Sequence, residues 1–152
     1  MAEFELSTYL DAPPDAVWEA LQFPATMAHV ARPMLTFKPI DPPHLPQRWS
    51  PGDYLVSLRF FGLPIGREVL GVSVPPAEGD VRYIRDLGGG GLARVWDHLI
   101  SVAPEGKGTR YTDHMRVEAG WLTPLVAGFA WVFYRHRQRR WRRFVADGMQ
   151  LM

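Results

Sequence analysis

The segment Leu122 to Val145 constrains this chain most, because it reads as one long helix whose two halves call for different surroundings. Thr123 and Pro124 stand where a helix takes its N-cap and first residue, and Gly148 follows at a natural stop. At 1.5 Å per residue such a helix is roughly 36 Å long, about the span of a small domain. Its first half is apolar on almost every side, through Leu122, Leu125, Val126, Phe129, Trp131, Val132, Phe133 and Tyr134. Its second half carries Arg135, Arg137, Arg139, Arg140, Arg142 and Arg143, with Trp141, Phe144 and Val145 still apolar. A helix that is apolar all round has to be covered on more than one face. The rest of the chain supplies strands to do it.

Those six arginines hide an asymmetry behind a formal net charge of +1: the other eleven basic residues face sixteen acidic ones. The segment reads first as a solvated helical end, its Arg stems covering apolar surface and its charges suiting a helix C-terminus. An anionic membrane surface or a homodimer contact is the alternative use of the same helix, and nucleic acid is set aside. The chain has no cysteine, which removes disulfides, thiolate catalysis and cysteine-ligated metals. The first ten residues lack a basic region followed by an apolar run, and the apolar part of the last helix falls short of the ~20 residues a membrane span needs. The expectation is a cytoplasmic protein folded as a single domain over residues 1–152.

Glu3 to Leu10 alternates, with Phe4, Leu6, Thr8 and Leu10 on one face of a half-buried strand. Pro13-Pro14 breaks it and opens a short helix with Asp15 in the first turn and Val17, Trp18 and Leu21 as its buried stripe. Phe23-Pro24 ends that helix, and Ala25 to Ala31 adds a further turn. Met34 to Ile40 is a second strand. Five prolines from Pro39 to Pro51 then exclude a sheet ladder, leaving a loop ordered by Trp49. Strand follows strand from Gly52. Asp53 to Phe61 points Tyr54, Val56, Leu58 and Phe60 inward, and a turn over Gly62 to Gly66 leads to Arg67–Val74 with Leu70, Val72 and Val74 inward. Asp80 to Leu87 is expected to share one face among Val81, Tyr83, Arg85 and Leu87. Gly88 to Gly91 reads as a mobile hairpin tip and not a phosphate cradle, since no GK[ST] follows and no helix begins there. Leu92–Val102 and Thr109–Glu118 form the last pair. A seven-stranded antiparallel sheet, curled around the final helix, accounts for this order in an α+β fold.

Three local patterns support that arrangement. Ala12-Pro-Pro-Asp-Ala-Val-Trp18 resembles the strand, polar turn and Val-Trp helix that open members of the START-related helix-grip superfamily (SRPBCC), which includes polyketide cyclase/dehydrase-like and lipid-transfer proteins. Trp96-Asp-His98, then Gly108-Thr109 and Asp113, resembles the W-x-H…G-T-x-x-x-D pairing of its last two strands. Phe133 to Phe144 resembles the aromatic, Arg-containing end of its closing helix. The proline-rich 39–51 loop and the density of arginines depart from many members. The resemblance implies an apolar cavity between sheet and helix, and a hydrophobic small molecule such as a lipid, polyketide-like species or aromatic metabolite as ligand.

If Pro104 pairs with Thr109 in the last hairpin, Val102 faces Tyr111, Ile100 faces Asp113, His98 faces Met115 and Trp96 faces Val117, all on the concave side. His98 and Asp113 are then diagonal neighbours. The carboxylate could orient the imidazole for general base work, or the two could satisfy each other as a buried polar pair. Tyr54, Leu58, Phe60, Tyr83, Trp96, Tyr111, Met115, Phe129 and Phe133 are the expected lining of the cavity, with Arg85 placed to meet a ligand oxyanion or to lie at the rim. His114 belongs to the solvated face. His29, His44 and His136 share no metal-ligand spacing, so no metal site is expected. The functions that fit are a carrier or sensor of a hydrophobic ligand, a cyclase, dehydratase or isomerase working through His98 and Asp113 without a cofactor, or a docking protein acting through its last helix.

Overall fold

The computed structural model describes residues 1–91 and 93–151. The elements run in the order β1 (Ala2–Leu10), α1 (Pro14–Leu21), α2 (Pro24–Ala31), β2 (Leu35–Asp41), β3 (Gly52–Phe60), β4 (Leu63–Ser73), β5 (Arg82–Gly88), β6 (Val95–Glu105), β7 (Gly108–Glu118) and α3 (Thr123–Ala146). One antiparallel sheet of seven strands, ordered β1-β7-β6-β5-β4-β3-β2, packs its concave face on α3. The expected start of a strand at Leu92 lies outside the described residues; β6 begins at Val95.

Local chemistry explains the boundaries. Pro14 and Pro24 each occupy the first turn of a helix, where the missing amide costs no internal bond. Pro24 therefore starts a second full helix, α2. The turn between β3 and β4 is shorter than the expected Gly62–Gly66. Phe61 and Gly62 both take positive φ, at 46° and 85°, the two-residue geometry that matches sheet twist, and β4 resumes at Leu63. Gly88 is no free tip either. It pairs with Trp96, and a Cβ there would collide with the Val69 carbonyl, so glycine admits close backbone approach where β5 crosses β4. The 42–51 loop is tied down by Trp49, whose amide donates to the Gln22 carbonyl at 2.7 Å and whose ring meets Tyr54 edge-on at 5.3 Å.

The α3 helix is gripped on one side and not all round. Val126, Ala130, Phe133, Tyr134, Arg137, Gln138, Trp141 and Phe144 are buried, at the 3- and 4-residue spacing of one face. Leu125, Trp131 and Val132 remain exposed, as does Trp121 just before the helix. A sheet that covers one face cannot close over a helix whose other side has only the α2 segment near it. The N-cap position falls on Leu122, and Thr123 closes the preceding 3₁₀ turn by donating to the Gly120 carbonyl at 2.6 Å. Arg137 is also not part of a solvated end: it is 6% exposed, within the buried face.

Candidate functional site: a polar belt across the concave face

The interior divides into two apolar clusters. One gathers Leu10, Val17, Leu70, Ile84, Ile100, Tyr111 and Trp141; the other Met34, Trp96, Met115, Val117, Phe133 and Tyr134. Between them runs a belt of polar side chains, with one or two contributed by each central element. Glu68 lies on β4, Asp86 on β5, His98 on β6, Asp113 on β7, and Arg137 and Gln138 on α3. Strand register aligns them, since Asp86 pairs directly with His98, and His98 pairs with Met115, two residues from Asp113. The belt crosses a cavity of about 80 Å³ that opens to solvent at its mouth.

The cavity is bounded by Thr26 and Met27 of α2, Leu35 and Phe37 of β2, Trp49 of the loop, Leu70 and Val72 of β4, Ile84 of β5, Trp96 and Ile100 of β6, and Phe133, Tyr134 and Trp141 of α3. Four belt residues, Glu68, Asp86, His98 and Arg137, also line it. Asp113 does not. It sits behind His98, fully buried, its Oδ1 2.6 Å from His98 Nε2 and its Oδ2 accepting from Gln138 Nε2 at 2.9 Å. Gln138 Nε2 also donates to the Leu6 carbonyl at 2.8 Å, which ties the dyad to the far edge of the sheet. The His98 ring packs at 4.3 Å on Tyr134, tilted by 36°, and the Tyr134 hydroxyl accepts from Trp96 Nε1 at 3.1 Å.

Burial sets the charges. It lowers the His98 pKa, an effect that the hydrogen bond and charge of Asp113 oppose without cancelling. The neutral ring then donates from Nε2 to Asp113, and Nδ1 is the basic atom. Burial raises Glu68 to about 8, with Asp86 adding to the rise. It raises Asp86 to about 7, against the Gly71 amide that donates to Oδ1 at 2.9 Å and the charge of Arg137. Glu68 is therefore largely protonated at neutral pH, and Asp86 about half so. Arg137 keeps its proton although burial opposes it, because Tyr111, Asp113, Tyr134 and Asp86 together outweigh that cost.

The last hairpin has the register read from the sequence, from Pro104↔Thr109 to Trp96↔Val117. Of the expected lining residues, Arg85, Trp96, His98 and Phe133 border the cavity. Arg85 nevertheless sends its guanidinium the other way, in a two-pronged bond to Asp97 at 2.8 and 2.6 Å on the convex face. The expected face of β5 is reversed. Register pairs Ile84 with Ile100 and Asp86 with His98, so the even positions point inward, while Tyr83, Arg85 and an exposed Leu87 point out. Tyr54, Leu58 and Phe60 do lie on the inner face of β3 but outside the lining: Tyr54 packs on Trp49, Leu58 on the first apolar cluster, and Phe60 against Phe129. Tyr111 is sealed against Trp141, Met115 within the second cluster, and Phe129 stacks on Phe133. His114 bonds Glu5 and Ser101 on the outer face.

Glu68, Asp86, Arg137 and Gln138 went unassigned in the sequence reading. The signal for each was parity. Glu68 is two residues before Leu70, Asp86 two after Ile84, and Arg137 stands four from both Phe133 and Trp141.

Solved structures share this architecture end to end. A protein from Chromobacterium violaceum superposes with a TM-score of 0.68 at 16% identity, over 95% of this chain and 98% of its own. A START superfamily protein from Mycobacterium smegmatis matches at 0.66 and 15%, over 95% and 97%. The fold is the helix grip. An aromatase/cyclase from Streptomyces sp. R1128 has the same helix-grip fold at 0.64 and 12% identity, over 98% and 96%. No family model and no curated protein sequence matches the chain. At these identities the likeness establishes the fold alone. Among the described residues no helix is long and apolar enough to cross a membrane.

Proposed function

We propose that this chain binds a hydrophobic small molecule in the cavity between sheet and α3, as a carrier or sensor. One observation carries the reading: the concave face is not filled by side chains but keeps an apolar, aromatic-walled space with four convergent polar groups. Native mass spectrometry of the purified protein, with organic extraction of whatever accompanies it, tests this. A one-to-one complex with a lipid, polyketide-like or aromatic species is the expected result. A protein that carries nothing and takes up no apolar molecule when mixed with a panel of them would defeat it.

A second reading rests on a separate observation, that His98 borders the cavity while Asp113 stands behind it. That is the order in which a carboxylate orients an imidazole for proton transfer to a bound molecule. A cyclisation, dehydration or isomerisation needs only such transfers in a dry pocket and no cofactor. With a substrate in hand, His98→Ala should abolish turnover, and Asp113→Asn should lower kcat more than it changes KM. Unchanged turnover in both variants would leave the binding role alone.

A further inference from the structure

Arg137 is the charged-donor residue of the belt whose hydrogen bonding the structure leaves incomplete. Its side chain is 94% buried by exposure, lies in the cavity wall, and its Nε has no hydrogen-bond partner. A buried guanidinium normally answers its desolvation cost with a paired carboxylate and hydrogen bonds for its five donors. Here the carboxylates that act on it are engaged elsewhere. Asp113 serves His98 and Gln138, and Asp86 accepts from the Gly71 amide. No ion pair to Arg137 forms among the described residues. Its guanidinium carbon stands 5.4 Å from the Tyr134 ring centroid and 5.9 Å from that of Phe133, and the buried Tyr111 hydroxyl, itself without a hydrogen-bond partner, acts on it as well. Those rings offset part of the cost and hold the planar group in place without using its N–H donors.

We infer that Arg137 is the seat of a carboxylate carried by the ligand, so that the molecule bound here is an apolar acid lying with its charged end at the polar belt. The inference rests on the hydrophobic-ligand reading and adds the chemical class of the ligand. A guanidinium fork matches a carboxylate with two parallel hydrogen bonds, and in a water-poor cavity such a pair is worth more than at a surface. The neighbouring acids do not repel it. Burial keeps Asp86 and Glu68 largely protonated near pH 6 and disfavours the charged form of His98. The protonated Asp86 and Glu68 are donors that can complete the carboxylate's shell. Trp49, Phe37 and Ile84 surround the space that the apolar body would fill.

The test uses two ligands with the same body. 2-Naphthoate and 2-naphthamide compete at pH 6 with the neutral fluorophore N-phenyl-1-naphthylamine for the wild-type protein, for Arg137→Met and for Arg137→Lys. Displacement by the acid at a tenfold or more lower concentration than the amide is expected for the wild type. Arg137→Met should bring the two to parity, and Arg137→Lys should hold an intermediate preference, each judged against that variant's own affinity for the fluorophore. If the fluorophore binds saturably but acid and amide displace it equally from the wild type, the carboxylate seat is wrong and the apolar cavity stands. A preference for the acid that survives Arg137→Met also overturns the seat. If the fluorophore does not bind at all, the cavity reading falls, and this inference with it.

Discussion

His98 Nε2 lies 2.6 Å from Asp113 Oδ1, although the two residues are not directly opposed in the sheet: His98 faces Met115, and Asp113 faces Ile100. The diagonal reach puts one carboxylate under two dependants, because the other oxygen of Asp113 holds Gln138 of α3. Both contacts are shut away from water, and losing the carboxylate strands two buried donors at once. Asp113→Ala should therefore cost roughly 2–6 kcal/mol in denaturant unfolding, since each buried donor left unsatisfied costs about 1–3. Asp113→Asn keeps the shape and removes the charge that raises the His98 pKa. It should lower that pKa further, as read from the imidazole resonances in an NMR titration; an unchanged or raised value would show that Asp113 does not act on the ring.

Glu68 makes the stability of the protein fall in alkali. Its carboxyl ionises near pH 8 in the fold against an ordinary 4.5, so folding favours the protonated form. The stability linked to this group is complete below about pH 4.5 and is lost as the pH rises through 8. Asp86, shifted from 3.8 to about 7, acts in the same direction. Glu68→Gln should leave the melting temperature unchanged at pH 4 and raise it above the wild type by several degrees at pH 9. Parallel melting curves for the two proteins across that range would contradict the assignment.

Gly88 is required by backbone contact and not by turn geometry. A methyl group there would overlap the Val69 carbonyl, which belongs to the neighbouring strand and has little room to retreat. Gly88→Ala should destabilise by about 1–3 kcal/mol, the usual range for forcing extra volume into a packed site. Gly90, whose Cβ would meet nothing, has a positive φ of 101° and is the comparison for strain without overlap.

The outer side of α3 changes character along its length. Leu125 and Val132 are exposed near its start, and Arg135, Arg139 and Arg142 follow on the same stripe. Docking of this side on an anionic membrane predicts flotation with phosphatidylserine vesicles at low salt that fades as salt screens the arginines. Leu125→Asp with Val132→Asp should abolish it. Absence of flotation at low salt would remove the membrane from the protein's partners.

The order of elements, the register of the last hairpin and the His98–Asp113 pair were legible in the chain because each rests on local rules: alternation in strands, turn chemistry and a fixed period of two. The face of β5 was not. In Val81-Arg-Tyr-Ile-Arg-Asp-Leu87 both parities carry apolar and charged residues, and only pairing with Ile100 and His98 of β6 decides between them. Arg137 was hidden for a related reason. Six arginines within nine residues read as a solvated surface, and which one turns inward depends on where the sheet meets the helix. The belt as a whole is a product of tertiary register, one or two residues from each of five elements, and no window of sequence contains it.

The cavity itself is most directly tested by titrating N-phenyl-1-naphthylamine into the wild type and into Ile84→Trp, with circular dichroism to establish that both are folded. Ile84 is buried in the cavity wall opposite α3, so an indole there occupies the space assigned to the ligand. Saturable one-to-one binding to the wild type, weakened at least tenfold in Ile84→Trp, is the expected result. No saturable binding to the wild type, or equal binding to the filled variant, would contradict it.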